Sequence, residues 1–276
     1  VIDPADLSSP QLAELELGGE ALPQYMVYHP ERQQVVLNRL GFGEDWMEVI
    51  DLDTFPELRR SRRAETVDQP HAMHLLKSGE ILVTTMRREV HIIDYDSLTP
   101  IGHVAVPTWF ATPGFTFTDL TLSPGREVGF ASTLGTDVVR IDPKGGGQVR
   151  HRGRGFGAGE ILHHPSKPEI FETDFFQNRV RVIDSRTLET LRDAELGFAP
   201  RPVAVMETRG LIAVGDWFRG EVHLLDIETL KPQSEPIPVG RYLREFALDS
   251  SRGRLYTGST CGVYALELDK LKPLTP

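Results

Sequence analysis

The sequence predicts an all-β chain, a six-bladed β-propeller of four-stranded antiparallel blades, with seven blades as the alternative. Three observations carry that prediction. First, a pattern of apolar residues, an acid and a tight turn returns at a spacing of about 40 residues, the length of one four-stranded propeller blade. Second, no segment sustains the 3.6-residue period of an amphipathic helix. Third, the runs follow one another too closely for the crossover helices that a parallel sheet requires.

The returning pattern reads MEVIDLDTFPELRR (47–60), VHIIDYDSLTPIGHV (90–104), VVRIDPKGGGQVR (138–150), VRVIDSRTLETLRD (180–193), VHLLDIETLKPQSE (222–235) and GVYALELDKLKPLT (262–275). Each is the third and fourth strand of a blade. The acids Asp51, Asp94, Asp142, Asp184 and Asp226, with Glu267 in the sixth copy, open the turn between them, where a short acid caps backbone donors. Earlier in the copies stand HPERQQVVL (29–37), KSGEILVTT (77–85), SPGREVGFAS (123–132) and HPSKPEIFET (164–173), short runs bounded by Pro, Gly and Ser that read as hairpin strands. The copies span 21–66, 67–106, 107–152, 153–196, 197–240 and 241–274. Ahead of them, residues 1–20 are expected to supply a strand, LAELEL (12–17), that completes the last blade and removes a sheet edge. The other reading makes it the remnant of a seventh blade.

Composition narrows the function classes. The net charge of −10 argues against nucleic acid as a partner, because phosphate binding needs a basic surface. The lone Cys261 excludes an internal disulfide framework and a cysteine metal knuckle. No run of 18 apolar residues offers a membrane span, and no leader pattern is present. The chain starts at Val1 and is read as a piece of something longer, with an exported location favoured over a cytoplasmic one. Basic residues are nearly all arginine, which suggests a GC-rich bacterial genome.

PHAMHLLKSGEILVTTMRREVHIIDYDSL (70–98) resembles the YVTN-type propeller repeat, with Pro opening the first strand and a V-x-x-I-D close. TDFFQNRVRVID (173–184) is similar to the related NHL repeat, in which Asn-Arg-Val precedes the third strand. The resemblance covers almost the whole chain. It implies the propeller fold and leaves function open, because propellers of this kind include binding proteins, lyases and calcium-dependent lactonases. A lactonase-like site would need several oxygen ligands. The only two asparagines, Asn38 and Asn178, are placed by the sequence in connections between second and third strands, which speaks against it.

Two groups of candidate residues follow. Large aromatics and arginines gather in the loops of one expected face: Trp46, Trp109, Phe110, Phe175, Phe176, Trp217, Phe218 and Tyr242, with Arg219 and Arg244. Rigid rings bury area at small entropic cost and guanidinium groups fork onto carboxylates, as in interface hot spots. TDFFQN and GDWFRG repeat the same Asp-aromatic-Phe order in neighbouring blades, so outward-pointing rings would form one patch. The second group is Gln24, His71, Asp119, Glu160 and Glu245, expected near the mouth of a central channel. His71 and His74 resemble half of a metal site, but residues three apart on a strand face opposite ways. HRGRGFGAGE (151–160) lacks the Lys-Ser/Thr and helix of a phosphate loop. Cys261 is expected to be buried or incidental, and RRSRRAE (59–65) to be a solvated face of an outer strand. The sequence thus predicts a binding or scaffold propeller for a protein, peptide or small-molecule ligand, with no cofactor, no nucleic acid and no membrane insertion. No residue is assigned to catalysis or to a metal. The alternative is a metal-dependent hydrolase or lyase at the channel mouth.

Overall fold

The computed structural model describes residues 22–40, 45–55, 57–87, 89–104, 117–135, 137–150 and 157–270. They form six antiparallel sheets in chain order. Blade 1 comprises β1 (Leu22–His29), β2 (Gln34–Leu40), β3 (Trp46–Asp51) and β4 (Arg59–Glu65). Blade 2 comprises β5 (Pro70–Leu75), β6 (Ile81–Thr85), β7 (Val90–Ile93) and β8 (Pro100–Val104). Blade 3 comprises β9 (Phe117–Leu122), β10 (Gly129–Thr133), β11 (Val138–Asp142) and β12 (Gly146–Arg150). Blade 4 comprises β13 (Ala158–His163), β14 (Glu169–Asp174), β15 (Arg179–Asp184) and β16 (Thr190–Glu195). Blade 5 comprises β17 (Pro200–Met206), β18 (Leu211–Asp216), β19 (Glu221–Asp226) and β20 (Ile237–Pro238). The sixth sheet has three described strands, β21 (Phe246–Asp249), β22 (Arg254–Ser259) and β23 (Gly262–Glu267).

The fold class is therefore the expected one: all-β, six meander blades of propeller construction, with only two short 3-10 turns among the described residues. Packing divides the chain into two units, the first carrying blades 1–3 and the second carrying blades 4–6. The segment 1–21, where the completing strand was expected, lies outside the described residues.

Within each unit a blade is apolar on both faces, because it is packed between neighbours. In β6, Ile81 and Val83 enter one core cluster with Val36 and Val49, while Leu82 enters another with Leu120 and Ile141. In β18, Ile212 and Val214 pack with Phe171 and Val182, and Ala213 packs with Leu243 and Leu255. This is why the second strands are continuous apolar runs rather than alternating ones. Outer strands do alternate, as β4 and β16 show.

The innermost strands contain a feature the sequence did not announce. In blades 1 to 5 the register slips after the first residues, between Pro23 and Met26, Pro70 and Met73, Phe117 and Asp119, Ala158 and Ile161, and Pro200 and Val203. Each slip is a bulge, and in blades 1, 2 and 4 a polar residue of the second strand, Asn38, Thr84 or Thr173, lies opposite it. Asn38 accepts the Tyr25 N–H (2.8 Å) and donates to the His71 carbonyl of the next blade (2.5 Å). Thr173 Oγ1 accepts the Glu160 N–H (2.8 Å) and donates to the Arg201 carbonyl (2.8 Å). The Tyr25 and Glu160 N–H groups of their bulges are thus satisfied, and each unit gains a tie between neighbouring blades. Asn38 is fully buried within β2, not in the connection where the sequence placed it.

Candidate functional site

The bulges re-index the expected channel residues. By register, Gly159 and Arg201 hold the places in blades 4 and 5 that His71 holds in blade 2, whereas the expected Glu160 lies one residue further along. In the first unit, the Tyr25 hydroxyl donates to Asp119 Oδ1 (3.1 Å), and the Tyr25 ring stands 5.2 Å from that of His71. Gln24 lies in the same strand. His74 turns the other way, with Nε2 2.7 Å from the Leu120 carbonyl; a carbonyl only accepts, so Nε2 carries the proton. In the second unit Glu160 is buried, 3.9 Å from Arg201 Nε, while Glu245 is exposed.

Of the aromatic candidates, Trp109 and Phe110 lie outside the described residues. Trp46, in the first unit, is capped by the Arg63 guanidinium 3.8 Å above its ring. The others come together in the second unit. Phe175 touches Phe176 (ring centres 4.8 Å), Trp217 (4.9 Å) and Phe218 (5.4 Å), and Trp217 touches Phe218 (5.3 Å) and Tyr242 (5.4 Å). Arg201 and Arg244 lie 5.1 and 5.7 Å from the Trp217 ring. Three successive blades therefore contribute to one aromatic surface.

Local backbone geometry explains the assembly. The Phe175 N–H donates to Gly157, the Trp217 N–H to Ala199, and the Tyr242 N–H to Trp217. Asp174 Oδ1 accepts the Gln177 N–H, and Asp216 Oδ1 accepts those of Phe218 and Arg219, so each aspartate folds its own aromatic turn. Gly157 has a positive φ, and a Cβ there would overlap the Phe176 ring. Gly220 likewise lets its turn lie against Gly240, on the way to Tyr242.

Phe175 and Trp217 are half-buried and form the floor. Phe176 (60 % exposed), Phe218 (55 %) and Tyr242 (42 %) form the outer surface, flanked by exposed Arg219, Arg241 and Arg244. The Trp217 Nε1 is sealed from solvent and has no acceptor among the described residues. Sequence reasoning missed Arg201, because only the bulge at Arg201-Pro202 turns it toward Trp217. Cys261, expected to be buried or incidental, is exposed.

Compared with known proteins, the chain matches no family model and no curated sequence.

Proposed function

We propose that the chain is a binding propeller of the YVTN/NHL-repeat type, which holds a peptide or protein segment carrying apolar and acidic side chains. The observation that supports this is the continuous surface of Phe176, Phe218 and Tyr242 on a Phe175–Trp217 floor, ringed by arginines. Phe176 and Phe218 are more than half exposed, which is unusual for large rings side by side on a folded protein, and paired with guanidinium groups such rings match the anchors of interfaces. The fold agrees with such a role, since loops on rigid blades carry recognition while the blades carry stability.

The test is selection of displayed peptides on the wild-type protein and on the Phe176→Ala/Phe218→Ala variant. Both residues are exposed, so the variant should keep its stability within about 0.5 kcal/mol. Wild type should enrich peptides rich in aromatic and acidic residues, and the variant should bind them roughly thirtyfold or more weakly, the scale of a hot spot. Equal binding by a well-folded variant would overturn the proposal.

A further inference from the structure

Beside the aromatic turn of blade 5, three donor side chains converge. Asp216 ends β18, and Glu221 and His223 lie on β19, paired by register with Asp216 and Val214. One ligand atom from each of the three lies within 4.8 Å of the other two. The Glu221 Oε2 to His223 Nε2 separation is 3.7 Å. Two donors of a tetrahedral zinc site, each about 2.1 Å from the ion, stand about 3.4 Å apart.

The cluster is more than a collection of surface acids. The Asp216 side chain is 1 % exposed, and its Oδ2 accepts no hydrogen bond among the described residues; its nearest cation is the mostly exposed Arg219, 3.8 Å away. His223 Nε2, likewise sealed, also has no hydrogen-bond partner among them. Its ring is held flat against Phe198 (centres 3.9 Å apart, 14° between planes), which fixes where Nε2 points.

Neighbouring blades supply an internal comparison. In blade 4 the residue matching Asp216 is Asp174, and the strand opposite it bears Arg179 and Arg181 in place of Glu221 and His223. There Arg181 Nη1 neutralises Asp174 at 3.1 Å. Blade 2 keeps the Glu-Val-His sequence at 89–91 but has Thr85 where the aspartate would be. Among these three, blade 5 alone combines the buried carboxylate with Glu and His and lacks the in-strand arginine.

We propose that Asp216, Glu221 and His223 form a binding site for a divalent first-row transition ion, with zinc as the reference ion. One imidazole and two carboxylates suit zinc and its neighbours rather than calcium, which takes six or more oxygens. Burial lowers the basicity of His223, which favours the neutral ring that ligates metal. Three protein ligands leave one position for water or for a ligand atom, as in open zinc sites. Because Asp216 Oδ1 already holds the Phe218 and Arg219 N–H groups, an ion on Oδ2 would brace the turn carrying the exposed ring of Phe218. The proposal stands independently of the peptide-binding reading.

The test uses tag-free, chelator-stripped protein titrated with Zn²⁺ by calorimetry, and with Co²⁺ by visible absorption. Wild type is expected to take one ion and to give the d–d bands of a low-coordinate cobalt site. His223→Gln and Glu221→Gln, checked for folding by circular dichroism, should each weaken binding by at least roughly tenfold, the scale at which even outer-sphere partners act. His91→Gln, in the Glu-Val-His of blade 2, should bind as wild type does. Unchanged binding in folded His223→Gln, loss of binding in His91→Gln, or no stoichiometric binding by wild type would each overturn the proposal.

Discussion

Glu48 is sealed from solvent on β3, with Arg39 Nη1, Arg60 Nε and Arg63 Nε each 3.4 Å from its carboxylate oxygens. Arg39 is itself buried, and Arg60 and Arg63 reach in from the outer strand. The sequence marks RRSRRAE as a solvated positive face, and its alternation of exposed and half-buried residues agrees in part. What it hides is that two of its arginines meet a buried acid one strand further in. A buried ion pair adds little net stability over an apolar pair, but breaking one strands an uncompensated charge at a cost of about 3–5 kcal/mol. Glu48→Gln should therefore lower unfolding stability by about that amount in denaturant titration. Arg63→Ala should cost less, because Arg63 is partly solvated, while changing the fluorescence of Trp46, which it covers. A Glu48→Gln variant as stable as wild type would mean that water or rearrangement satisfies the arginines.

At the scale of the element, the turn closing blades 2, 4 and 5 shows what sequence can reveal. Asp94, Asp184 and Asp226 each take backbone N–H groups on Oδ1, from Ser97, from Arg186 and Thr187, and from Glu228 and Thr229. Four residues on, Leu98, Leu188 and Leu230 adopt a left-handed φ of 57–58° while their side chains are buried. That conformation costs about 1–2 kcal/mol for a residue with a Cβ, which burial of a leucine offsets at about 1.5–3 kcal/mol. Asp142 caps its turn in the same way, but Asp51 accepts from Gln34 and Arg59, and Glu267 pairs with Lys270 and Arg254. The turns were legible because the cap lies within four residues of its partners. The bulges were not, because strand alternation assumes the register that a bulge breaks. These caps set an acid dependence. The Arg186 guanidinium, followed by backbone N–H groups, draws Asp184 from 3.8 down to about 2, and the turn N–H groups lower Asp94 and Asp226. A depressed carboxyl stabilises the fold above its unfolded value, and that stability is lost as pH falls from about 4 toward 2. Asp184→Asn should be less stable than wild type at pH 7 in thermal melts, with the gap closing by pH 2. A gap independent of pH would show that the carboxylate charge is not what matters.

For the whole molecule, the blade count could be read from the sequence because six copies solve the same packing problem with the same short-range signals. Which side chains complete the aromatic surface could be read only in part. Phe175 and Trp217 share a repeat position, so their contact was foreseeable; Arg201 and Tyr242 reach Trp217 only through a bulge and a left-handed backbone that leave no repeat signature. Charge shows a similar division between scales. The chain carries 30 basic and 40 acidic residues, a net −10, yet the aromatic surface is edged by Arg201, Arg219, Arg241 and Arg244. An acidic peptide approaching from afar meets the repulsion of the whole chain, and only within about 8 Å at physiological salt do individual arginines dominate. Raising salt from roughly 0.02 to 0.15 M should screen the long-range repulsion first, so the association rate should hold steady or rise. Dissociation should quicken over the same range, because the arginine–carboxylate contacts at the rim are partly solvated. Stopped-flow and surface-binding kinetics on a selected peptide separate the two rates. Replacing Arg244 with Gln should raise the dissociation rate and flatten its salt dependence. An association rate that instead falls steeply with salt would mean that a broader positive field, not four arginines at a ring surface, draws the ligand in.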